Sequence, residues 1–319
     1  MFITRDNSHT HLHFPHFQLY LLLASLVITI GFLSFTLYKY YLENYYDSSL
    51  NGSEIKEVLQ QTIPQDVQQA LHKVEQTLKA PVASTSAIQL PVSVRVPILM
   101  YHYVEYVQDK GDKTRILLNT TPYTLEQEIK TLSEAGFTFM TNAELANVLD
   151  GKGRLPPKPI LLTFDDGYRD FYTDAYPILK KYHAKATQYV IAGFLNRSNH
   201  LLTAQLQEIA RDGLVEIGAH TVHHVYLKGR SLKDVSNEVF QSRVMLEKLS
   251  NKEVISFAYP FGAFDEQAIQ VVKDAGFKSA TSTIPGIDQK QEYRYFLYRL
   301  RPGGRTGQSL LNWLNQTKF

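Results

Sequence analysis

Short apolar runs alternate with amphipathic helical stretches from Val94 onward, and this alternation limits the possible folds more than any other feature. Several of the helical stretches end in glycine, as in SEAG, ARDG and KDAG, and glycine commonly terminates helices. The alternation predicts an α/β fold of parallel βα units, closed or nearly closed into a barrel, with its chemistry at the carboxyl ends of the strands. The strand candidates are VRVPILMYHYV, FTFM, PILLTF, ATQYVIAG, VEIGAH, VISFAYPFG and FKSATST.

A charge-free segment precedes this region. Residues 19–38 read LYLLLASLVITIGFLSFTLY, which matches the roughly twenty residues needed to cross a bilayer. A cleaved signal peptide has a shorter apolar core and a small-residue cleavage site, whereas this segment continues into YKYYLENYY. We therefore interpret residues 19–38 as a retained single-pass membrane anchor. Charge does not set its orientation, because Arg5 on one side is balanced by Lys39 on the other.

The remaining N-terminal residues are predicted to be a tail and a stalk. Residues 1–18 hold four histidines, and we interpret this stretch as a solvated tail, with a metal-binding tract as the alternative: His9, His11, His13 and His16. Residues 39–93 contain a polar stretch interrupted by Pro64, typical of two short helices, and then the extended linker PVASTSAIQLP. A catalytic domain is expected over residues 94–319.

Composition limits the possible chemistry of this domain. The net charge of +2 over 319 residues gives no reason to expect a nucleic-acid partner. The chain has no cysteine, so it contains neither disulfides nor thiolate metal sites. Any metal must therefore be bound by histidine, aspartate or glutamate.

Two adjacent acids follow the apolar strand PILLTF. Neighbouring residues on a strand point to opposite faces, so Asp165 and Asp166 can divide their work between general base and metal ligand. Gly167 allows the backbone to turn sharply after them. The alternative is structural: Asp166 and Gly167 form only a turn, and Asp165 caps a helix.

Histidines after the fifth strand candidate favour the metal interpretation. His220 and His224 are four residues apart, and two imidazoles with one carboxylate form a common ligand set for hydrolytic metals. The stretch VEIGAHTVHH is more typical of a strand entering a loop than of a helix. That loop would have to direct both rings towards one point.

These motifs together carry a resemblance to a known family. TFDDG at 163–167, HTVHH at 220–224 and FAYPFG at 257–262 resemble the polysaccharide deacetylases, also called the NodB-homology domain or carbohydrate esterase family 4. The resemblance covers about Val94 to Phe319 and implies a deformed (β/α) barrel that removes acetyl groups from N-acetylated sugars. It also implies that Asp165 is the general base and that a divalent ion, zinc or else cobalt or nickel, is bound by three ligands: Asp166, His220 and His224.

The chain departs from the family pattern in its third motif. Ala258 stands where the family usually has an arginine that orients the base, while Pro260 and Phe261 match. The resemblance implies that the Phe261 N–H stabilises the oxyanion and that Pro260 lies in the substrate-binding region. Asp165 must therefore find another partner. Arg299 and Arg301 are candidates for orienting carboxylates or substrate, and we assign Arg301 to substrate binding.

The last motif departs as well. The family's Leu-x-His, whose imidazole protonates the leaving amine, is replaced by FLYRLRPGG, which contains no histidine. We predict that His102 supplies the proton, because MYHYV also ends a strand; the alternative is a hydrogen-bonded core histidine. His223 is expected near the surface or behind the ligands. The run YRYFLY is expected to be a packed strand, although an aromatic ring there could stack on a sugar.

The predicted function is metal-dependent de-N-acetylation of N-acetylglucosamine-containing polysaccharide at the cell envelope, with release of acetate. ILMYHYV and FAYPFG resemble the branch of the family that acts on poly-N-acetylglucosamine, and this implies a membrane-bound enzyme whose catalytic domain is extracytoplasmic. Two alternatives stay open. One is a catalytically inactive sugar-binding protein of the envelope, and the other is a metal-dependent amidase acting on a non-sugar amide.

Overall fold

A curled parallel β-sheet forms the centre of the protein. The computed structural model describes residues 93–317. Seven parallel strands pair in the order β2-β4-β5-β6-β7-β8, with β3 beside the first half of β4. Their bounds are β2 Ile98–Tyr101, β3 Thr138–Met140, β4 Pro159–Phe164, β5 Ala186–Val190, β6 Val215–Ala219, β7 Ser256–Ala258 and β8 Ser279–Thr281. Two further strands, β1 Ser93–Arg95 and β9 Asp288–Lys290, form a separate antiparallel pair.

Helices connect the strands, and every helix except the first has buried residues. Their bounds are α1 Lys113–Leu118, α2 Pro122–Glu134, α3 Asn142–Leu149, α4 Tyr176–Tyr182, α5 Thr203–Asp212, α6 Leu232–Ser250, α7 Glu266–Asp274 and α8 Gly307–Gln316. In α6, the buried Val235, Val239 and Leu246 lie on one stripe at helical spacing. The predicted terminating glycines are confirmed, because Gly136, Gly213 and Gly276 all adopt the left-handed conformation.

One irregular segment bridges the two edge strands of the sheet. On one side, Leu297 donates its N–H to the Ala280 carbonyl of β8 at 2.8 Å. On the other, Leu300 donates to the Ile98 carbonyl of β2 at 2.8 Å. Residues 297–300 therefore lie between the first and last strands of the parallel sheet. Since all seven strands are parallel, their carboxyl ends meet at one edge, and loops from distant parts of the chain converge there.

The predicted element order is largely confirmed. PILLTF forms β4 over the predicted residues, whereas the first candidate run is split at Pro97, which has no N–H to donate to a ladder. The run YRYFLY is not a regular strand; it continues from a single 3₁₀ turn, and within it Leu297 makes an isolated bridge to β8. The predicted tail, anchor and nearly all of the stalk lie outside the described residues. Within residues 93–317, no helix has the length and hydropathy needed to cross a membrane.

Candidate active site

A tight turn after β4 gives the adjacent acids different partners. Asp166 and Gly167 both have positive φ angles, 76° and 73°. A Cβ atom at position 167 would also lie 3.2 Å from the Val190 side chain, so glycine is favoured there. Asp165 and Asp166 are both buried. The predicted sharp turn is confirmed, and the carboxylate of Asp165 binds a side chain instead of capping a helix.

Arg299 binds both oxygens of Asp165. Its two terminal nitrogens donate to Oδ1 at 2.7 Å and to Oδ2 at 2.8 Å, while Nε donates to the Ser282 carbonyl at 2.7 Å. Arg299 is only 1% exposed. A bidentate pair of this kind is strong and directional when buried. Arg299 therefore supplies the orienting contact that Ala258 cannot make, which was one of the alternatives that the sequence offered.

The charges around Asp165 determine its ionisation. Burial by itself would raise the pKa of the Asp165 carboxyl, but the Arg299 charge and hydrogen bonds hold the pKa below its ordinary value. His102 lies close by, with Nε2 3.9 Å from Oδ2 of Asp165. Burial lowers the pKa of His102, an effect that the nearby carboxylates only partly offset. At neutral pH the site therefore holds an ionised Asp165 beside a neutral His102.

Three predicted ligands converge on one point at the same edge of the sheet. Oδ1 of Asp166 lies 3.3 Å from Nε2 of His220 and 3.2 Å from Nε2 of His224. Ligand atoms of all three residues lie within 4.8 Å of one another. The structure thus brings together the carboxylate and the two imidazoles, with the histidines in a loop after β6, as the sequence predicts.

The donor set fits a divalent cation. Nδ1 of His220 lies 2.7 Å from the Ala258 carbonyl, which can only accept a hydrogen bond, so Nδ1 carries the proton. Whenever the ring is neutral, as a metal ligand must be, Nε2 therefore presents a lone pair on the side of Oδ1 of Asp166. That oxygen is buried and has no hydrogen-bond donor among the described residues. Two electron-rich atoms facing each other in a buried site are stabilised by a cation between them.

Glu238 holds the loop of residues 220–224 in place, and no sequence motif indicated this glutamate. Oε2 of Glu238 accepts the N–H groups of Val222 at 3.0 Å and His223 at 2.9 Å, and Oε1 lies 2.8 Å from Nδ1 of His223. In the same loop, Thr221 and His224 have positive φ angles of 64° and 54°, which is unfavourable for residues other than glycine. His223 is 62% exposed and faces Glu238, consistent with its predicted place at the surface.

The third motif forms a turn beside the ligands. β7 ends at Ala258, and a 3₁₀ turn follows over Pro260–Gly262. The Phe261 N–H donates to no acceptor within residues 93–317, so it is available for a substrate oxygen. The Phe261 ring lies 4.4 Å from the ring of His224. Pro260 is buried at the start of the turn, and its contact with substrate stays a prediction.

Further residues lie around the two acids. Arg301 is exposed, and its charge acts on both His102 and Asp165, which places it near the mouth of the site. Tyr168 is close to Asp166; burial first and the Asp166 charge second raise the pKa of its phenol. His200 packs 5.1 Å from the Tyr168 ring. Neither Tyr168 nor His200 belongs to a motif that could have indicated it.

Comparisons with known proteins agree with this geometry. A polysaccharide deacetylase family model matches residues 152–280. YxkH of Bacillus subtilis, a polysaccharide deacetylase homologue, is 31% identical over 218 residues, which are 68% of this chain and 75% of YxkH. The poly-β-1,6-N-acetyl-D-glucosamine N-deacetylase of Staphylococcus aureus is 30% identical over 55% of this chain and 64% of its own length. The Streptococcus pyogenes deacetylase PplD, solved with acetate, has a TM-score of 0.64 at 30% identity, over 72% of this chain and 100% of that chain.

The chain therefore belongs to the polysaccharide deacetylase family, whose members are hydrolases that act on N-acetylated sugars. Enzymes of this family are metalloenzymes, in agreement with the Asp–His–His cluster. The resemblance in the motifs at 163–167, 220–224 and 257–262 is thereby confirmed.

Proposed function

We propose that this protein hydrolyses the acetamide groups of N-acetylglucosamine units in a polysaccharide, with the help of a divalent metal, and releases acetate. One arrangement carries the proposal: Asp166, His220 and His224 converge beside an ionised carboxylate that Arg299 binds through both oxygens. A metal site and an oriented base within one buried cluster are the two requirements for hydrolysing an unactivated amide.

The metal would be held by Asp166, His220 and His224, and we propose zinc, with cobalt and nickel as alternatives. When bound, a divalent cation there supplies Lewis acidity, which makes water easier to deprotonate and polarises an acyl oxygen. Two neutral imidazoles and one carboxylate suit such a cation and leave room for further ligands.

The protein's own groups would move the proton and stabilise the charge. Asp165 takes a proton from the attacking water, and Arg299 keeps its carboxylate ionised and aimed. The Phe261 N–H donates to the oxygen on which negative charge develops. His102 is neutral and lies 3.9 Å from Asp165, so it can receive the proton and pass it to the amine as the carbon–nitrogen bond breaks.

The proposed substrate is poly-N-acetylglucosamine, outside the cell membrane. The similarity to the Staphylococcus aureus poly-β-1,6-N-acetyl-D-glucosamine N-deacetylase supports the polymer. The charge-free residues 19–38 support an anchor and therefore an extracytoplasmic catalytic domain, because polymers of this class lie outside the membrane.

Neither alternative function is favoured by the site. The absence of an arginine at position 258 favours an inactive binding protein only if Asp165 lacks an orienting partner. Arg299 is such a partner, because it binds both oxygens of Asp165. A non-sugar amide would require the same cluster, so substrate assays must distinguish it.

The test is acetate release by the full-length protein in detergent from N-acetylglucosamine oligomers, beside an Asp165→Asn variant. Acetate from the parent alone, with equal metal content in both proteins, supports a metal-dependent deacetylase with Asp165 as base. Bound metal without acetate from any oligomer contradicts the proposed substrate, and the absence of bound metal contradicts the mechanism.

A further inference from the structure

We propose that Tyr226 and Phe261 form a stacking platform that binds a second sugar unit of the polymer, next to the unit being deacetylated. This inference rests on the proposed function, because it assigns a neighbouring subsite to the same polymeric substrate. It makes the protein selective for chains over single N-acetylated sugars.

The platform is a pair of parallel rings. The ring centroids of Tyr226 and Phe261 are 4.1 Å apart with an angle of 7° between the planes. Both residues remain open to solvent, at 56% and 50% exposure. Phe261 in turn packs 4.4 Å from His224, one of the three metal ligands. A continuous row of rings therefore leads from the metal cluster to the surface.

The backbone keeps the Phe261 ring in this exposed position. Phe261 has φ 60° and ψ 4°, a left-handed conformation that is unfavourable for a bulky residue. Gly262, also at positive φ, lies so close to Thr283 that a Cβ atom would come within 2.0 Å of its hydroxyl oxygen. Backbone strain of this kind clusters at active sites and ligand-binding positions. Burial of the Phe261 ring does not explain it, because half of the residue stays in water.

A pyranose ring fits the chemistry of the platform. Sugars present apolar C–H faces with hydroxyl groups at the rim, so one face can cover an aromatic ring while the rim stays hydrated. N-acetylglucosamine units carry no charge, and the platform rings offer none. Because one face of the Tyr226 ring stacks on Phe261 and the residue is 56% exposed, the outer face of Tyr226 is the surface that we assign to the sugar.

The experiment compares binding of N-acetylglucosamine monomer and tetramer by isothermal titration calorimetry. It uses the full-length protein in an Asp165→Asn background, where turnover is suppressed. Adding Tyr226→Ala is expected to raise the Kd for the tetramer about tenfold and to bring it closer to the Kd for the monomer. Tyr226→Phe keeps the ring and should retain the affinity. Phe240→Ala removes a 39% exposed aromatic side chain from α6 and should also bind as the Asp165→Asn protein does.

Equal tetramer affinity with and without Tyr226→Ala would overturn the platform, and so would an equal loss with Tyr226→Phe. Failure of the proposed function is a separate result: the unmutated protein would release no acetate, whatever the effect of Tyr226→Ala on binding. Unchanged melting temperatures of the Tyr226 variants confirm that any loss of affinity comes from the missing ring.

Discussion

Arg299 binds both carboxylate oxygens of Asp165 from a segment 134 residues further along the chain. The segment that carries Arg299 also bridges β2 and β8, so the backbone that joins the sheet edges brings the guanidinium to Asp165, the proposed base. In the usual family pattern this arginine would stand at position 258, on β7. The same contact is therefore made from a different segment of the chain, the irregular residues 297–300 that lie between β2 and β8.

Replacing Arg299 should alter the pH dependence of catalysis as well as the rate. Arg299→Gln removes the charge that lowers the pKa of Asp165, so the pKa of the base rises. Since the base must be deprotonated, the acid limb of the pH profile of kcat/KM should move to higher pH. Arg299→Lys keeps the charge but not the bidentate geometry, and we expect kcat to fall about a hundredfold.

Arg294→Lys is the matched control, because Arg294 pairs with Asp150 in a partly buried site formed by other residues. It should leave the acid limb in place. An unshifted acid limb in a folded Arg299→Gln protein would contradict the role of Arg299. Should Arg299→Gln fail to fold, the kcat of Arg299→Lys tests the orienting contact, and an unchanged kcat would contradict it.

Removing any one metal ligand should abolish tight metal binding. Asp166→Asn, His220→Gln and His224→Gln each delete one of three donors that lie within 4.8 Å of one another. We expect metal affinity to fall by at least about a hundredfold, measured by competition with a chromogenic chelator. His223→Gln is the control in the same loop, because its exposed ring faces Glu238. Metal affinity that survives all three ligand substitutions would place the site elsewhere.

Glu238 should control metal affinity without touching the metal. Glu238→Leu removes the acceptor for the N–H groups of Val222 and His223, which frees a loop that holds two residues at positive φ. We expect metal affinity to fall about tenfold or more. Glu238→Gln retains one carbonyl oxygen for both N–H groups and should largely preserve the affinity. A fall in melting temperature with unchanged metal affinity would show that Glu238 has only a structural role.

His102 should contribute to proton transfer more than His200. His102 lies 3.9 Å from Asp165, whereas His200 packs against Tyr168 beside the metal ligands. His102→Gln is expected to lower kcat about a hundredfold or more, with less effect on the KM for N-acetylglucosamine tetramer. His200→Gln should lower kcat much less. An equal fall in kcat in the two variants would contradict a specific role of His102 in proton transfer.

Glu128 should make the protein less stable as the pH rises. Burial raises the pKa of this carboxyl to about 8 in the folded protein, from 4.5 when unfolded, and Tyr101 donates a hydrogen bond to it at 2.8 Å. Between pH 4.5 and about pH 8, Glu128 is therefore protonated in the folded state but ionised in the unfolded state. The free energy of unfolding should fall from about pH 5 to pH 8, by an amount on the order of a few kcal/mol.

Glu128→Gln should flatten this dependence, because an amide does not titrate. The measurement is denaturant unfolding at several pH values, followed by the fluorescence of Trp313, the single tryptophan of the chain. Glu134→Gln, an exposed change at the end of the same helix, should leave the slope as it is. An unchanged slope in Glu128→Gln would assign the pH dependence to other groups.

Much of the fold could be predicted because periodicity is a local signal. β4 and α6 lie where PILLTF and LKDVSNEVFQSRVMLEKLS predict them, since a buried strand and an amphipathic helix each have their own spacing of apolar residues. Short elements were missed. The six residues of α1 contain no buried residue, so no apolar stripe indicates them.

The motif residues could also be predicted, whereas their supporting contacts could not. Asp165, Asp166, His220 and His224 lie in two short motifs whose spacing is visible along the chain. In the sequence of α6, Glu238 is not at an apolar position, and nothing in the adjacent residues distinguishes it from other glutamates in helices. The N–H groups that it accepts belong to Val222 and His223, 16 and 15 residues earlier in the chain. Only the packing of α6 against the loop brings them within hydrogen-bonding distance.

By itself, the sequence determined the order of strands and helices and singled out the proposed base and the candidate metal ligands, because these depend on local spacing and residue chemistry. The tertiary structure alone decided which arginine orients Asp165, which tautomer His220 adopts, and which rings stand beside the ligands. Each of these depends on a contact between residues far apart in the chain. Such contacts exist only because the parallel strands bring their carboxyl ends to one edge of the sheet.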